Sequence, residues 1–236
     1  MRKFIRKIIG TNNLQKNLQT IINAQLFQGT IENSEWLKNK SFTPGGWAMD
    51  NAGLTTLFHI LNHIKPENIL EFGLGQSSKI VHQYANFYEN TKAITIEHDS
   101  EWIDFFCNGL PKNFRTNIKQ IDKEMVKYNG FDTLSYRDIA ETVANEKYDL
   151  IIVDGPFGSK NYSRSQIIKI AKNNLRKNFC IFMDDSERIG EQETIKEICK
   201  VLEEQKIEFL IKEYVGEKNR HTIICSKDMK FLTSLR

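Results

Sequence analysis

Two hydrophobic periods take turns along this chain. Short, nearly continuous apolar runs stand at Ile69-Leu70-Glu71-Phe72, Ala93–Glu97, Leu150–Val153 and Phe179–Met183. Runs of that length bounded by turn residues predict strands, and the run at 150–153 suits a strand buried on both faces, as in a parallel sheet. Between them, apolar residues recur every three or four positions: Leu54, Leu57, Leu61 and Ile64; Ile80, Tyr84 and Phe87; Trp102, Phe105 and Phe106; Ile195, Ile198, Cys199 and Leu202. That spacing predicts helices with one inward face. Residues 159–177 read as a loop and then a helix with Ile167, Ile168, Ala171 and Leu175 inward, and Tyr136, Ile139, Ala140 and Val143 give another helix face. Residues 116–121 read as a strand and Tyr128-Asn129-Gly130-Phe131 as a turn. Two final strands, 207–215 and 221–226, run antiparallel around a hairpin at 216–220. Alternating strands and helices predict an α/β fold of three layers. Without repeat or linker, one compact unit is expected: a helical extension and loop over 1–50, and a domain over 51–236.

In the extension, Arg2, Lys3, Arg6 and Lys7 interleave with Phe4, Ile5, Ile8 and Ile9. Such a segment suits either a helix lying on an anionic membrane surface or a first helix packed on the domain. Leu14, Leu18, Ile21, Ile22 and Leu26 continue at helical spacing, which favours packing. Pro44-Gly45-Gly46 breaks the loop at 41–51, where Trp47 either closes over a ligand or plugs the sheet edge. Asp50 or Asn51 caps the next helix and Pro66 stops it. His59 and His63 are four apart on that helix, but no third ligand accompanies them, so a half-buried or solvated pair is expected.

Composition narrows the function. With 33 Lys and Arg against 30 Asp and Glu, the net charge is +3. That mild value does not indicate a nucleic-acid binder. Cys107, Cys180, Cys199 and Cys225 are scattered without a Cys-x-x-Cys pair, as in small core residues of a reducing compartment. No apolar run approaches a membrane span and no signal-peptide core is evident, which predicts a cytoplasmic protein.

Candidate chemistry begins at Glu71-Phe72-Gly73-Leu74-Gly75-Gln76-Ser77-Ser78. A strand runs into a two-glycine turn and a helix start. Gly73 and Gly75 let a ligand approach bare backbone, Ser77 or Ser78 can cap the helix, and a helix N-terminus faces the space above. A dinucleotide fingerprint would place a third glycine where Ser78 stands. A carboxylate beside the turn, Glu71, attracts a cation and repels a pyrophosphate. Acids then close successive strands. Glu97 sits 22 residues past Gly75, where nucleotide-binding folds place an acid on ribose hydroxyls. Asp122 suits an adenine edge or a plain turn. Asp154 precedes Gly155-Pro156, and Asp184-Asp185 ends the fifth strand. Arg164 lies near a helix start, where a cation opposes the dipole, which suggests a ligand role.

The ordered set Glu71/Gly73/Gly75, Glu97, Asp154 and Asp184/Asp185 resembles the class I S-adenosylmethionine-dependent methyltransferases. The resemblance covers about residues 50–226. It implies a Rossmann-like, seven-stranded, mostly parallel sheet with an antiparallel last strand. It also implies S-adenosylmethionine bound by Glu71, Gly73, Gly75, Gln76, Ser77, Ser78, Glu97 and His98. A narrower likeness runs through Asp154-Gly155-Pro156-Phe157-Gly158, Ser163-Arg164 and Asp184-Asp185-Ser186-Glu187-Arg188. It is similar to the polysaccharide O-methyltransferases related to glucuronoxylan 4-O-methyltransferase. There the strand ends His-Asp-x-x-Arg and the arginine follows glycine; here Asp184 and Ser163 stand instead. This implies a glycan or small-molecule hydroxyl as acceptor.

A sugar hydroxyl is a poor nucleophile until its proton is leaving, and an ordinary carboxylate is a weak base for it. Burial among acids can strengthen Asp154 or Asp185 as a base. Alternatively Asp154, Asp184 and Asp185 hold magnesium or manganese, as their likeness to catechol-type O-methyltransferases implies. Arg164 and Arg188 suit an acidic or phosphorylated acceptor, and an ion pair with a neighbouring acid is the other reading of Arg188. Rival functions are an NAD(P)-dependent oxidoreductase, an aminopropyl transferase, and a non-catalytic partner in glycan assembly.

Overall fold

The computed structural model describes residues 2–43, 47–111 and 114–235, with backbone alone for 2–13. The elements are α1 (Arg2–Ile31), α2 (Asn51–Ile64), β1 (Asn68–Phe72), α3 (Gln76–Phe87), β2 (Lys92–Glu97), α4 (Ser100–Asn108), β3 (Ile118–Gln120), β4 (Lys123–Tyr128), β5 (Phe131–Tyr136), α5 (Ile139–Thr142), β6 (Tyr148–Val153), α6 (Gln166–Asn173), β7 (Leu175–Met183), α7 (Ile189–Glu204), β8 (Phe209–Val215) and β9 (Arg220–Ser226), followed by a 3-10 turn over Lys227–Ser234.

Seven strands form one sheet in the order β3-β2-β1-β6-β7-β9-β8. The first five are parallel, and β9 runs antiparallel to both neighbours. This is the expected mostly parallel sheet with its last strand reversed. Period-two alternation divides the core. Ile69, Leu150, Ile152, Phe182 and Ile223 face one layer with α2 and α3, while Leu70, Phe72, Ile151, Val153, Ile181 and Ile224 face α6 and α7. Both faces of β1, β6 and β7 are therefore buried, which is why residues 69–72, 150–153 and 179–183 read as nearly continuous hydrophobic runs, broken only by Glu71. The parallel strands bring their carboxyl ends to one edge of the sheet, where the candidate residues lie.

Three expectations are corrected. Tyr136 does not start a helix; it ends β5, which pairs with β4 in a separate antiparallel hairpin. Asn129 (φ 47°) and Gly130 (φ 83°) make its tight turn, and such a positive-φ pair matches the strand twist of a two-residue hairpin. Leu175 belongs to β7, because α6 ends at Asn173. Asn174 fixes that end by donating to the carbonyls of Val143 and Glu146, each at 2.8 Å. Finally, Leu14, Leu18, Ile21, Ile22 and Leu26 do not pack on the domain; they are 47–59% exposed. A different stripe of α1 is buried: Asn23, Phe27 and Ile31. Asn23 donates to Glu217 at 2.7 Å and Phe27 meets Phe42 edge-on at 5.2 Å, so these contacts set which side of the helix faces inward. The Pro44-Gly45-Gly46 break, and the side chains of the basic segment at 1–9, lie outside the described residues.

The tip of the β8–β9 hairpin is bonded on both sides. Glu217 accepts from the backbone and side-chain nitrogens of Asn51, both at 2.8 Å, which places a carboxylate at the N-terminus of α2 where the helix dipole favours it. Asp50, the N-cap of α2, accepts from Gly53 N at 2.8 Å and from Lys218 N at 3.0 Å. From the same tip Asn219 donates to Asp185 at 2.6 Å.

Candidate functional site

The turn after β1 is locked to the next strand ends. Asp154 N donates to Phe72 O and Gly73 N to Ile96 O, both at 2.9 Å. Gly73 has φ +92°, and a Cβ there would lie 2.6 Å from the carbonyl oxygen of Asp154. Only glycine fits, because a side chain would collide with backbone and the conformation disfavours L residues. Gly75 differs: a Cβ there would meet no heavy atom within 4 Å. Its N–H donates to Ser78 Oγ at 2.9 Å as α3 begins. The turn thus leaves an open ledge at a helix N-terminus.

Glu71 lies beneath this ledge, fully buried. Ser77 Oγ donates to one carboxylate oxygen and Thr95 Oγ1 to the other, each at 2.7 Å. Burial pushes its pKa up to about 7, and the hydroxyl hydrogen bonds pull partly back. His82 Nε2 lies 3.0 Å from Thr95 Oγ1, and burial lowers the His82 pKa to about 4, so this histidine is neutral. Glu97, also buried, accepts from Leu74 N at 3.0 Å, His98 N at 2.6 Å and Asp99 N at 3.0 Å. Trp102 Nε1 closes the corner by donating to Leu74 O at 2.7 Å. Glu71, Gly73, Gly75, Ser77, Ser78 and Glu97 are therefore brought together. Gln76 turns aside and accepts from Thr43 N at 3.1 Å. The His98 ring lies 6.3 Å from that of Phe157 at the rim, and Trp47 meets Phe157 edge-on at 5.7 Å. Trp47 is 84% exposed, so it stands at the rim without plugging the sheet edge.

The second half of the site is built around Arg164. It is buried and uses all five donors. Nε donates to Pro156 O at 3.3 Å, and Nη1 to Val153 O at 3.3 Å and Asp184 O at 3.0 Å. Nη2 reaches Asp154 at 3.4 Å and Asp185 at 2.9 Å. Glu191, fully buried, lies 3.8 Å from Nε and accepts from Ser163 at 2.8 Å. Arg164 and Asp185 both have φ +59°, a conformation that costs about 1 kcal/mol or more in a non-glycine residue, and in each the side chain enters this ion pair. Arg188, partly exposed, pairs with Asp185 at 2.8 Å. Burial raises the pKa of Asp154 to about 7; Arg164 opposes the rise, while Asp185 and Glu71 add to it. Asp184 is raised too, chiefly by burial.

The aspartates do not form the donor set expected for magnesium or manganese. Among the described residues no group of three or more His, Cys, Asp or Glu side chains is arranged to hold a metal ion. A guanidinium already bridges Asp154 and Asp185, and a second cation pairs with Asp185. Repulsion from that fixed charge opposes a dication at the same place.

Several participants escaped sequence reasoning. Thr95 is the register partner of Glu71, visible only once β1 and β2 are paired. The hydroxyl of Tyr136 comes in from β5, so near Gly155 that a Cβ there would lie 2.8 Å from it. Asn219 arrives from the far hairpin.

No protein-family model matches the sequence. A Methanocaldococcus jannaschii protein named "Putative methyltransferase" is 34% identical over 98 residues, which is 42% of this chain and 33% of that protein. Arabinogalactan O-methyltransferase 1 of Arabidopsis thaliana is 25% identical over 128 residues, 45% of this chain and 43% of that protein. The matched part thus spans less than half of these relatives. Among solved structures, the O-methyltransferase TomG of Streptomyces achromogenes, in complex with S-adenosylmethionine, is similar with a TM-score of 0.59 at 12% identity, over 89% of this chain and 98% of that one. A Bacillus cereus O-methyltransferase in complex with S-adenosylhomocysteine gives 0.52 at 16% identity, over 89% and 90%. The chain has the class I S-adenosylmethionine-dependent methyltransferase fold.

Proposed function

We propose that the chain is an S-adenosylmethionine-dependent O-methyltransferase acting on a hydroxyl of a sugar or glycan precursor. One observation carries this reading: Glu71, Glu97 and Asp154 meet at a single glycine turn, where Gly73 packs on the Asp154 backbone and Gly75 stays open. S-adenosylmethionine supplies a methyl group on a cationic sulfonium. Glu97 gives the cleft the negative field such a cation needs, and a bound sulfonium favours the ionised form of Glu71, whose pKa stands at about 7. Glu97 keeps its register through three backbone N–H groups and is the acid for ribose hydroxyls. Asp154, with its pKa near 7, takes the proton from the acceptor hydroxyl far better than an ordinary carboxylate. Arg164 is a positioning residue, since its donors are all used within the protein. Arg188 remains partly exposed and is available to an acidic acceptor. The sugar acceptor rests on the motif likeness and on the plant arabinogalactan relative.

The test is thermal. S-adenosylhomocysteine at a hundredfold excess over its Kd should raise Tm by roughly 5–10 °C, while NAD leaves it unchanged. Methyl incorporation into a panel of sugars, with and without EDTA, then identifies the acceptor; insensitivity to EDTA is expected. No response to S-adenosylhomocysteine, or a response to NAD, defeats the proposal.

A further inference from the structure

We propose that the outer face of α1 docks on an anionic lipid bilayer. Leu14, Leu18, Ile21, Ile22 and Leu26 line one side of this helix, about half exposed, while Asn23, Phe27 and Ile31 hold the other side to the domain. Five large aliphatic side chains on one face are more than scattered surface residues. Charge identifies the partner. Of the 33 Lys and Arg and 30 Asp and Glu in the chain, five cations and no acids fall in α1: Arg2, Lys3, Arg6, Lys7 and Lys16. The rest of the chain is slightly acidic, so the positive charge is concentrated on the element that carries the apolar stripe. An aliphatic face on a helix that carries cations and no acids matches a surface of anionic headgroups over acyl chains. A second copy of α1 fits worse, because it would set the same cations against each other with no acid to offset them. The helix lies on the bilayer and does not enter it: no described helix is long and apolar enough to cross a membrane. This docking is independent of the proposed methyl transfer.

Flotation of the full chain with vesicles tests it. Vesicles of equal parts phosphatidylcholine and phosphatidylglycerol should carry the protein at low salt and release it at high salt, and pure phosphatidylcholine should carry little. Leu18→Gln with Ile22→Gln should weaken binding at least about tenfold. Arg6→Gln with Lys7→Gln should weaken it about thirtyfold at low salt, at roughly fivefold per cation. Tm should stay unchanged in the first pair, because those side chains touch solvent. Failure to float with anionic vesicles overturns the proposal, as does equal flotation with neutral ones. A dimer in sedimentation equilibrium that the Leu18/Ile22 pair dissociates, without flotation, would assign the stripe to a second copy and also overturns it.

Discussion

Glu71→Gln tests whether a buried acid at the glycine turn is held against its own charge. Glu71 is fully buried, and its pKa is raised from 4.5 to about 7. The fold therefore prefers the protonated acid. The associated stability is intact below the unfolded pKa and is lost as pH rises through the folded value. A rise of that size corresponds to about 3 kcal/mol of unfolding free energy lost by pH 8. Glutamine keeps the shape: Oε1 accepts from one hydroxyl, Nε2 donates to the other, and neutral His82 can exchange tautomers behind Thr95. Two other groups titrate nearby. Asp154 is raised in the same direction, and His82 is lowered, so its penalty appears as pH falls below 6.5. Both persist in the variant, so the variant-minus-wild-type difference isolates Glu71 to first order. Urea unfolding at pH 5 and pH 8 should show that difference moving by about 2.5 kcal/mol in favour of the variant, because pH 5 already lies slightly above the unfolded value, or roughly 5–10 °C in Tm. Parallel pH dependences, with the difference constant within about 1 kcal/mol, would refute the reasoning and leave Glu71 valued only for its hydrogen bonds.

The remaining predictions concern the same cleft. Asp154→Asn should lower turnover by about 10²–10⁴ while keeping the S-adenosylhomocysteine shift in Tm; wild-type turnover should rise with pH through about 7, the Asp154 pKa, and a flat pH–rate profile would count against the base. Gly73→Ala, whose Cβ would lie 2.6 Å from Asp154 O, should cost several kcal/mol in urea unfolding, while Gly75→Ala should be near neutral in stability yet weaken nucleoside binding in calorimetry. Arg164→Met should destabilise by about 3–5 kcal/mol at pH 8, with a smaller loss at pH 5 where Asp154 is protonated; equal losses at both pH values would refute the charge argument.

Legibility in the sequence followed the range of the interactions. Strands buried on both faces announce themselves, because nearly every inner position is apolar, so β1, β6 and β7 were evident apart from the start of β7, with Glu71 the polar exception inside β1. Glu71, Gly73, Gly75, Glu97 and Asp154 were legible because strand ends and glycine turns are local features. The β4–β5 hairpin carried its signal in Asn129-Gly130, but its strands are mostly polar and half exposed, so Tyr136 suggested a helix. Arg164 looked like a ligand-binding cation because it stands near a helix start; its partners come from the ends of β6 and β7 and from α7, so only the assembled sheet shows that the protein itself saturates it. The buried side of α1 was misread for a related reason: a helical stripe says where apolar residues lie, and the partner surface decides which stripe is covered.

Hairpin tips at a protein surface are usual places to splice a tag, open a permuted chain or accept an insertion. The β8–β9 tip is a poor choice. Gly216 leaves so little room that a Cβ would fall 2.2 Å from Asp50 Oδ2, and residues 217–219 are tied to two helices and to Asp185. The Asn129-Gly130 turn, where a Cβ on Gly130 meets nothing within 4 Å, is the better graft point. A peptide fused there should leave the acids at the sheet edge undisturbed.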